Sequence, residues 1–214
     1  MQEAKVLIAV PYHPAKPYCP PIFMESVSSL IQNTKNASVE AVVRFDPNPV
    51  FGAKDNVKKQ REWARKLAID HEFTHLFFHG ADMKIPEDTI DKLLAHNWPV
   101  VGGVYCRRPK DASVPSAVAW MHGLPTEEKD EILFNTEPRI VNVDGSGLDC
   151  ILIERRVLED VSWMEWVVTD DDYPWCDKVG LLGYQVRIDP SIQCRHYETS
   201  DSYTRCGTVH SEAG

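Results

Sequence analysis

The chain predicts an α/β architecture, a mostly parallel wound sheet with helices between its strands, and three observations lead there. Short apolar runs of strand length alternate with amphipathic stretches of helical period through residues 5–105. The apolar runs are continuous rather than alternating, as strands buried on both faces of a parallel sheet require. Acidic residues, Asp46 and Asp82, follow two of these runs just past their carboxyl ends, where open α/β sheets bind ligands.

The elements follow in order. Residues 5–10 form a first buried strand that stops at Pro11. After Pro20-Pro21, Phe23, Val27, Leu30 and Ile31 recur at helical spacing, and Val39 to Phe45 is a second strand. Lys54 to Ile69 sets Val57, Trp63, Ala64, Leu67 and Ala68 among charged residues, an amphipathic helix with one solvated face. Residues 74–78 are a buried strand, Asp82 follows in a loop, a helix runs from about Pro86 to His96, and residues 100–105 return to the sheet. Right-handed crossovers join such units.

The second half is less regular. Residues 110–139 are rich in Pro, Gly and charge, with short strand candidates at Ala117 to Met121 and Glu131 to Phe134, so irregular structure or small antiparallel pieces are expected. Gly145-Ser146-Gly147 reads as a flexible turn, residues 150–153 as an apolar strand and Arg155 to Asp160 as a short helix. Asp170-Asp171-Asp172 precedes a helix from Tyr173 to Leu182, closed by Gly183, and Val186 to Ile188 is strand-like.

At 214 residues the chain is of one-domain length, with a regular first half to about residue 105, a less regular second half to about 197 and a tail over 198–214. A net charge of −9 disfavours a broad nucleic-acid surface without removing a local basic groove. No apolar run approaches the roughly 20 residues of a membrane span, so the expectation is a soluble, cytoplasmic protein. Six scattered cysteines do not form a disulfide framework. Cys194, His196, Cys206 and His210 can be read as zinc ligands, although the first pair is tighter than usual zinc-finger spacing.

The segments 6–12, 73–82, 85–94, 100–105, 147–158, 171–176 and 183–196, in that order, resemble the GT-A class of glycosyltransferases, particularly small single-domain members of the family 2 type and phage enzymes. The resemblance covers about Lys5 to Tyr197 and implies a GT-A-like, Rossmann-like sheet with a short antiparallel acceptor-side region, its nucleotide-binding half running to about residue 105 and its acceptor and catalytic half to about 197. It places Pro11, Tyr12 and Asp46 against the base and ribose of a nucleotide-sugar donor, although Asp46-Pro47-Asn48-Pro49 is equally a turn sequence. Asn56 and Arg61 match a polar and basic pair, which a solvated helix face explains as well.

An Asp-x-Asp motif in such enzymes holds a divalent cation against the donor diphosphate, whose growing negative charge the cation neutralises. Here Gly80 stands in place of the first Asp, Ala81 is the middle residue and Asp82 matches the second Asp; the plainer reading of Asp82 is a loop or helix-cap residue. His196 matches a histidine that completes metal coordination and tilts an Mn²⁺ or Mg²⁺ choice towards Mn²⁺. The resemblance makes Asp171 and Asp172 the acidic pair, with Asp172 the first choice as general base; helix capping also explains them. Gly103 and Arg107 are further donor-binding candidates, with Arg108 beside them and Asp149 a candidate for sugar hydroxyls. Of Trp120, Trp163, Trp166 and Trp175, one at most is expected to stack on an acceptor, because most tryptophans fill cores.

Together these imply a metal-dependent enzyme moving a sugar, most readily from a UDP-sugar, to a hydroxyl acceptor with inversion. The acceptor stays open among glycan, protein and modified DNA base. A nucleotidyltransferase and a noncatalytic nucleotide-sugar or glycan-binding module are the alternatives, the first weakened by the lack of a Gly-rich basic phosphate loop after the first strand.

Overall fold

A computed structural model describes residues 3–12, 20–45, 53–107, 115–137, 139–164, 172–199, 202–205 and 208–211. The first half forms β1 (Ala4–Tyr12), α1 (Pro20–Asn33), β2 (Ala37–Phe45), α2 (Ala53–Asp70), β3 (His75–His79), β4 (Met83–Lys84), α3 (Thr89–His96) and β5 (Val100–Val104). The second half adds β6 (Ala119–Trp120), α4 (Thr126–Phe134), β7 (Val141–Val143), β8 (Gly145–Ser146), β9 (Cys150–Glu154), α5 (Arg155–Asp160), α6 (Asp172–Leu181), β10 (Val186–Gln193), β11 (Arg195–Thr199), β12 (Ser202–Arg205) and β13 (Thr208–Ser211).

Seven strands make the main sheet in the order β2-β1-β3-β9-β5-β10-β7. β1 is parallel to β2 and β3, and β5 to β10. β9 runs antiparallel between β3 and β5, and β7 antiparallel to β10. The sheet is therefore mostly parallel. The reversed β9 matters most for function, because the residue entering it lies at the same edge as the residue leaving β3. His79 pairs with Cys150, which brings Asp149 opposite Gly80.

Strand alternation sends apolar side chains to both faces of the sheet. On one face Leu7, Ala9, Leu76, Phe78, Ile151 and Ile153 pack with Ala64 and Ala68 of α2, Val157 and Leu158 of α5, and Trp175 and Val179 of α6. On the other, Val6, Ile8, Val10, Phe77 and Leu152 meet Phe23, Val27 and Leu30 of α1 and Ile90 and Leu93 of α3. Ile8, Leu30 and Phe77 are fully buried, each stabilising the fold by on the order of 2 kcal/mol. Asn97 ends α3 in the left-handed conformation, its N–H donating to the Leu94 carbonyl.

A second sheet, β13-β12-β11-β4, is antiparallel and takes in residues assigned from sequence to a tail. Two other expectations are corrected. Residues 131–134 lie in α4, where Glu127 and Glu128 favour the helix start and Leu133 packs inward. Gly145-Ser146 is a buried strand paired with β6, because Cys176 and Trp120 press against Gly145 too closely for a side chain. Among the described residues no helix is long and apolar enough to cross a membrane.

Candidate active site

The carboxyl ends of β1, β3 and β5 and the entry to β9 meet at one edge of the sheet. Asp82, in the turn between β3 and β4, is 2% exposed. β11 folds back along β4 with His196 opposite Met83, and the Tyr197 N–H donates to the Asp82 carbonyl at 2.8 Å. That register brings His196 Nε2 to 3.2 Å from Asp82 Oδ2. The other ring nitrogen, Nδ1, lies 2.7 Å from the Cys106 carbonyl. A carbonyl only accepts, so Nδ1 carries the proton and Nε2 is the atom turned to the carboxylate.

Two lone-pair atoms facing each other repel unless a cation lies between them. A proton on Nε2 does this, and so does a divalent metal. Adjacent corners of an octahedron with bonds of about 2.1 Å are roughly 3 Å apart, so the donor pair fits two coordination positions. Among the described residues no group of three or more His, Cys, Asp or Glu side chains comes together as a metal site. Further corners would have to be filled by water or by ligand oxygen.

Beside this pair lies a second cluster, whose members the sequence offers singly and the fold brings together. Arg61 of α2 is only 3% exposed. Its Nη2 donates to Asp149 Oδ1 at 3.2 Å, and its Nη1 donates to Asp172 Oδ1 at the start of α6. The guanidinium also lies over the Phe78 ring, 5.7 Å from its centroid. The reading of Asn56 and Arg61 as part of the solvated face of α2 is thus corrected, that face being carried by residues such as Lys66. Asn56, Gln60, Arg61 and Glu62 are all buried, because α2 packs across the sheet edge and its polar residues meet partners there. Glu62 Oε2 accepts from Arg65, from the Ser162 hydroxyl and from the Trp163 N–H. Gln60 exchanges two hydrogen bonds with the Tyr12 backbone, at 2.7 and 3.0 Å, extending the end of β1 as a neighbouring strand would.

Tyr105, just after β5, joins the two clusters. Its ring stands edge-on to His196 at 5.8 Å between centroids. Its hydroxyl accepts from the Asp149 N–H at 3.4 Å. Burial, then the charges of Asp149 and Asp172, raise the phenol pKa well above its ordinary value, so it stays neutral. Gly147 makes room for it, since a Cβ there would lie 1.8 Å from the Tyr105 hydroxyl.

His79 is not part of this cluster. It is fully buried, its Nδ1–H donates to the Gly80 carbonyl and its Nε2 accepts from the Ser26 hydroxyl, both at 2.8 Å. Burial pushes its pKa down to about 4. The unfolded chain takes up a proton near pH 6.5 that the folded chain refuses. Stability is therefore intact above pH 6.5 and declines as pH falls towards about 4, by about 3 kcal/mol from this group. Urea unfolding between pH 7 and pH 4.5 should show this loss, and His79→Gln should flatten it. An equal slope in both proteins would assign the acid lability elsewhere.

The remaining candidates fall as follows. Pro11 and Tyr12 end β1, with Tyr12 packed on Phe23. Ala81 is buried beside Asp82, and Gly103 lies within β5, where Ile192 leaves no space for a side chain. Arg107 is exposed, its N–H donating to the Ser116 carbonyl. Trp163 and Trp175 stack on each other in the core, while Trp120 is half-buried and edge-on to Tyr173. Asp46, Arg108, Trp166, Asp171 and Cys206 lie outside the described residues, and with Cys206 the four-ligand zinc reading. The sequence leaves Arg61 between two readings, because a buried arginine on an amphipathic helix has the same local sequence as a solvated one.

No family model and no curated protein matches the chain. Among solved structures it is similar to A197 from STIV, at 15% identity and a TM-score of 0.64 over 99% of this chain and 95% of that one. It is also similar to GalNAc-T7, solved with UDP, GalNAc and Mn²⁺, at 13% identity and a TM-score of 0.53. That match covers 92% of this chain but 44% of GalNAc-T7. The fold is GT-A-like. In this GT-A-like fold the Asp82–His196 pair and the Arg61 cluster occupy the edge where open α/β sheets bind ligands.

Proposed function

We propose that the protein is a metal-dependent glycosyltransferase that moves a sugar from a nucleotide-diphosphate sugar, a UDP-sugar, to a hydroxyl acceptor with inversion. The observation that carries this is the meeting of Asp82–His196 and Asp172 on either side of Tyr105, at the ligand edge of a GT-A-like sheet. The UDP and Mn²⁺ bound by GalNAc-T7 support the donor and the metal.

Asp82 and His196 would hold Mn²⁺ or Mg²⁺. Such a cation supplies electrostatic stabilisation of a departing diphosphate. Pro11, Tyr12 and Asp46 would border the nucleoside, Ala81 and Gly103 the donor, and Arg107 its phosphates. Asp172, with Asp171 beside it, would take the acceptor proton. In that step the acceptor oxygen bonds to the anomeric carbon, its proton passes to the carboxylate, and the bond from that carbon to the diphosphate oxygen breaks.

A cleft of about 430 Å³ runs along α6 from Tyr173, the residue after Asp172, and is lined by His122, Asp144, Asp177, Tyr184 and Gln185 among others. It offers aromatic rings and carboxylates, and no described lysine or arginine lines it.

A thermal-shift panel of UDP and UDP-sugars with Mn²⁺, Mg²⁺ or EDTA tests the donor site. UDP with Mn²⁺ should raise Tm by several degrees, EDTA should remove the gain, and Asp82→Ala and His196→Ala should each abolish it. Stabilisation that is equal with and without metal would overturn the metal assignment. Binding with no transfer or hydrolysis would favour a noncatalytic binding module instead.

A further inference from the structure

Gly80 and Arg61 belong to one arrangement. A Cβ on Gly80 would lie 2.6 Å from Met83 Cγ and 2.8 Å from Asp149 Cβ. Asp149 occupies that space because the antiparallel register of β9 sets it there, with the Gly80 N–H donating to its carbonyl at 2.8 Å. From this fixed point its carboxylate reaches Arg61, and Arg61 reaches Asp172. The arginine side chain is buried at 3% exposure, while the carboxylate side chains keep 30% and 20%. A buried guanidinium therefore anchors two acids that face the open edge.

We propose that Arg61 is a positioning residue for Asp172, with Asp149 as the second arm of the clamp. The inference rests on reading Asp172 as the base. A base must be ionised before it can accept a proton, and an adjacent guanidinium favours the carboxylate form. It also fixes the carboxylate in direction, since its planar fork engages two oxygens from a rigid frame. Arg61 from α2 pairs with Asp172, Asp149 ahead of β9 shares the same guanidinium, and Tyr105 after β5 lies in the field of both carboxylates. Arg61 supplies the positive charge among them. Asp149 opposes it, so the clamp balances the ionisation of Asp172 between the two.

Carbon-13 NMR titration of the aspartate carboxyl groups tests this without relying on turnover, with Asp172 assigned by its loss in Asp172→Asn. In Arg61→Gln, Asp172 should titrate about one pH unit or more higher than in the wild type. The acid limb of the kcat profile should move in the same direction. Arg61→Lys keeps the charge but cannot span both carboxylates, so it should restore the limb while leaving kcat below wild type. Asp149→Asn removes the opposing charge and should move the Asp172 titration the other way, to lower pH; this arm serves if Arg61→Gln does not fold. Unchanged Asp172 titration in Arg61→Gln, or in Asp149→Asn where that arm is used, overturns the inference whether or not the protein transfers sugar. A shifted titration together with a fully active Asp172→Asn would instead overturn the base assignment and leave the Arg61 clamp standing.

Discussion

Replacing Asp172 with Asn should lower kcat for sugar transfer by about 10²–10⁴-fold and leave donor binding nearly intact. The size is that of general base catalysis by a positioned side chain. Asn is close to Asp in shape, and its carbonyl oxygen can still accept from Arg61, so α6 should keep its start and the core beneath it. What is lost is the acceptor for a proton. Single-turnover rates with saturating donor measure the effect, and thermal stabilisation by UDP and Mn²⁺ serves as the control for binding. A variant with wild-type kcat would remove Asp172 from the reaction and leave Asp171 as the next candidate. The same experiment on Asp171→Asn therefore belongs beside it.

The second large effect runs against the motif. Restoring a carboxylate at position 80, by Gly80→Asp, is what the Asp-x-Asp resemblance recommends for stronger metal binding. The structure predicts the opposite. The new Cβ would fall within 3 Å of both Met83 and Asp149. Met83 is fully buried, and Asp149 is held by its register opposite β3 and by Arg61. Overpacking of this kind costs typically 1–3 kcal/mol, and a further carboxylate beside Asp149 adds repulsion. We expect a stability loss of about 3 kcal/mol in urea unfolding and a fall in kcat of at least about tenfold as the clamp shifts. Gly80→Ala separates the steric part from the charge. A Gly80→Asp protein with tighter Mn²⁺ binding and raised kcat would show that Asp149 yields, and that the arrangement around Gly80 is not rigid.

Much of this was legible in the order of residues. The continuous apolar runs at 5–10, 74–78 and 100–104 are strands buried on both faces, and hydrophobicity with length is enough to identify such strands. The same holds for α2 as a helix and for Asp82 as the residue beyond a strand end. The pairing of Asp82 with His196 followed from resemblance, and the structure sets the two side chains 3.2 Å apart. Less legible was anything that depended on strand direction. An apolar run at 150–154 looks alike whether it runs parallel or antiparallel, yet only the antiparallel choice brings Asp149 to Gly80. Residues 131–134 were misread because four apolar and charged residues fit either period.

By itself, then, the sequence determined the alternation of strands and helices, the edge at which acids collect, and the absence of a carboxylate at position 80. Those properties are local, set by side-chain polarity repeated at a period of two or 3.6 residues. Only the tertiary structure decided that Arg61 is buried rather than solvated, and that Asp149 fills the space over Gly80. It also decided that Tyr105 links the Asp82–His196 pair to Asp149 and Asp172. The physical reason is that desolvation and ion pairing depend on which distant segments share a volume, and for Arg61 those partners lie 88 and 111 residues away along the chain.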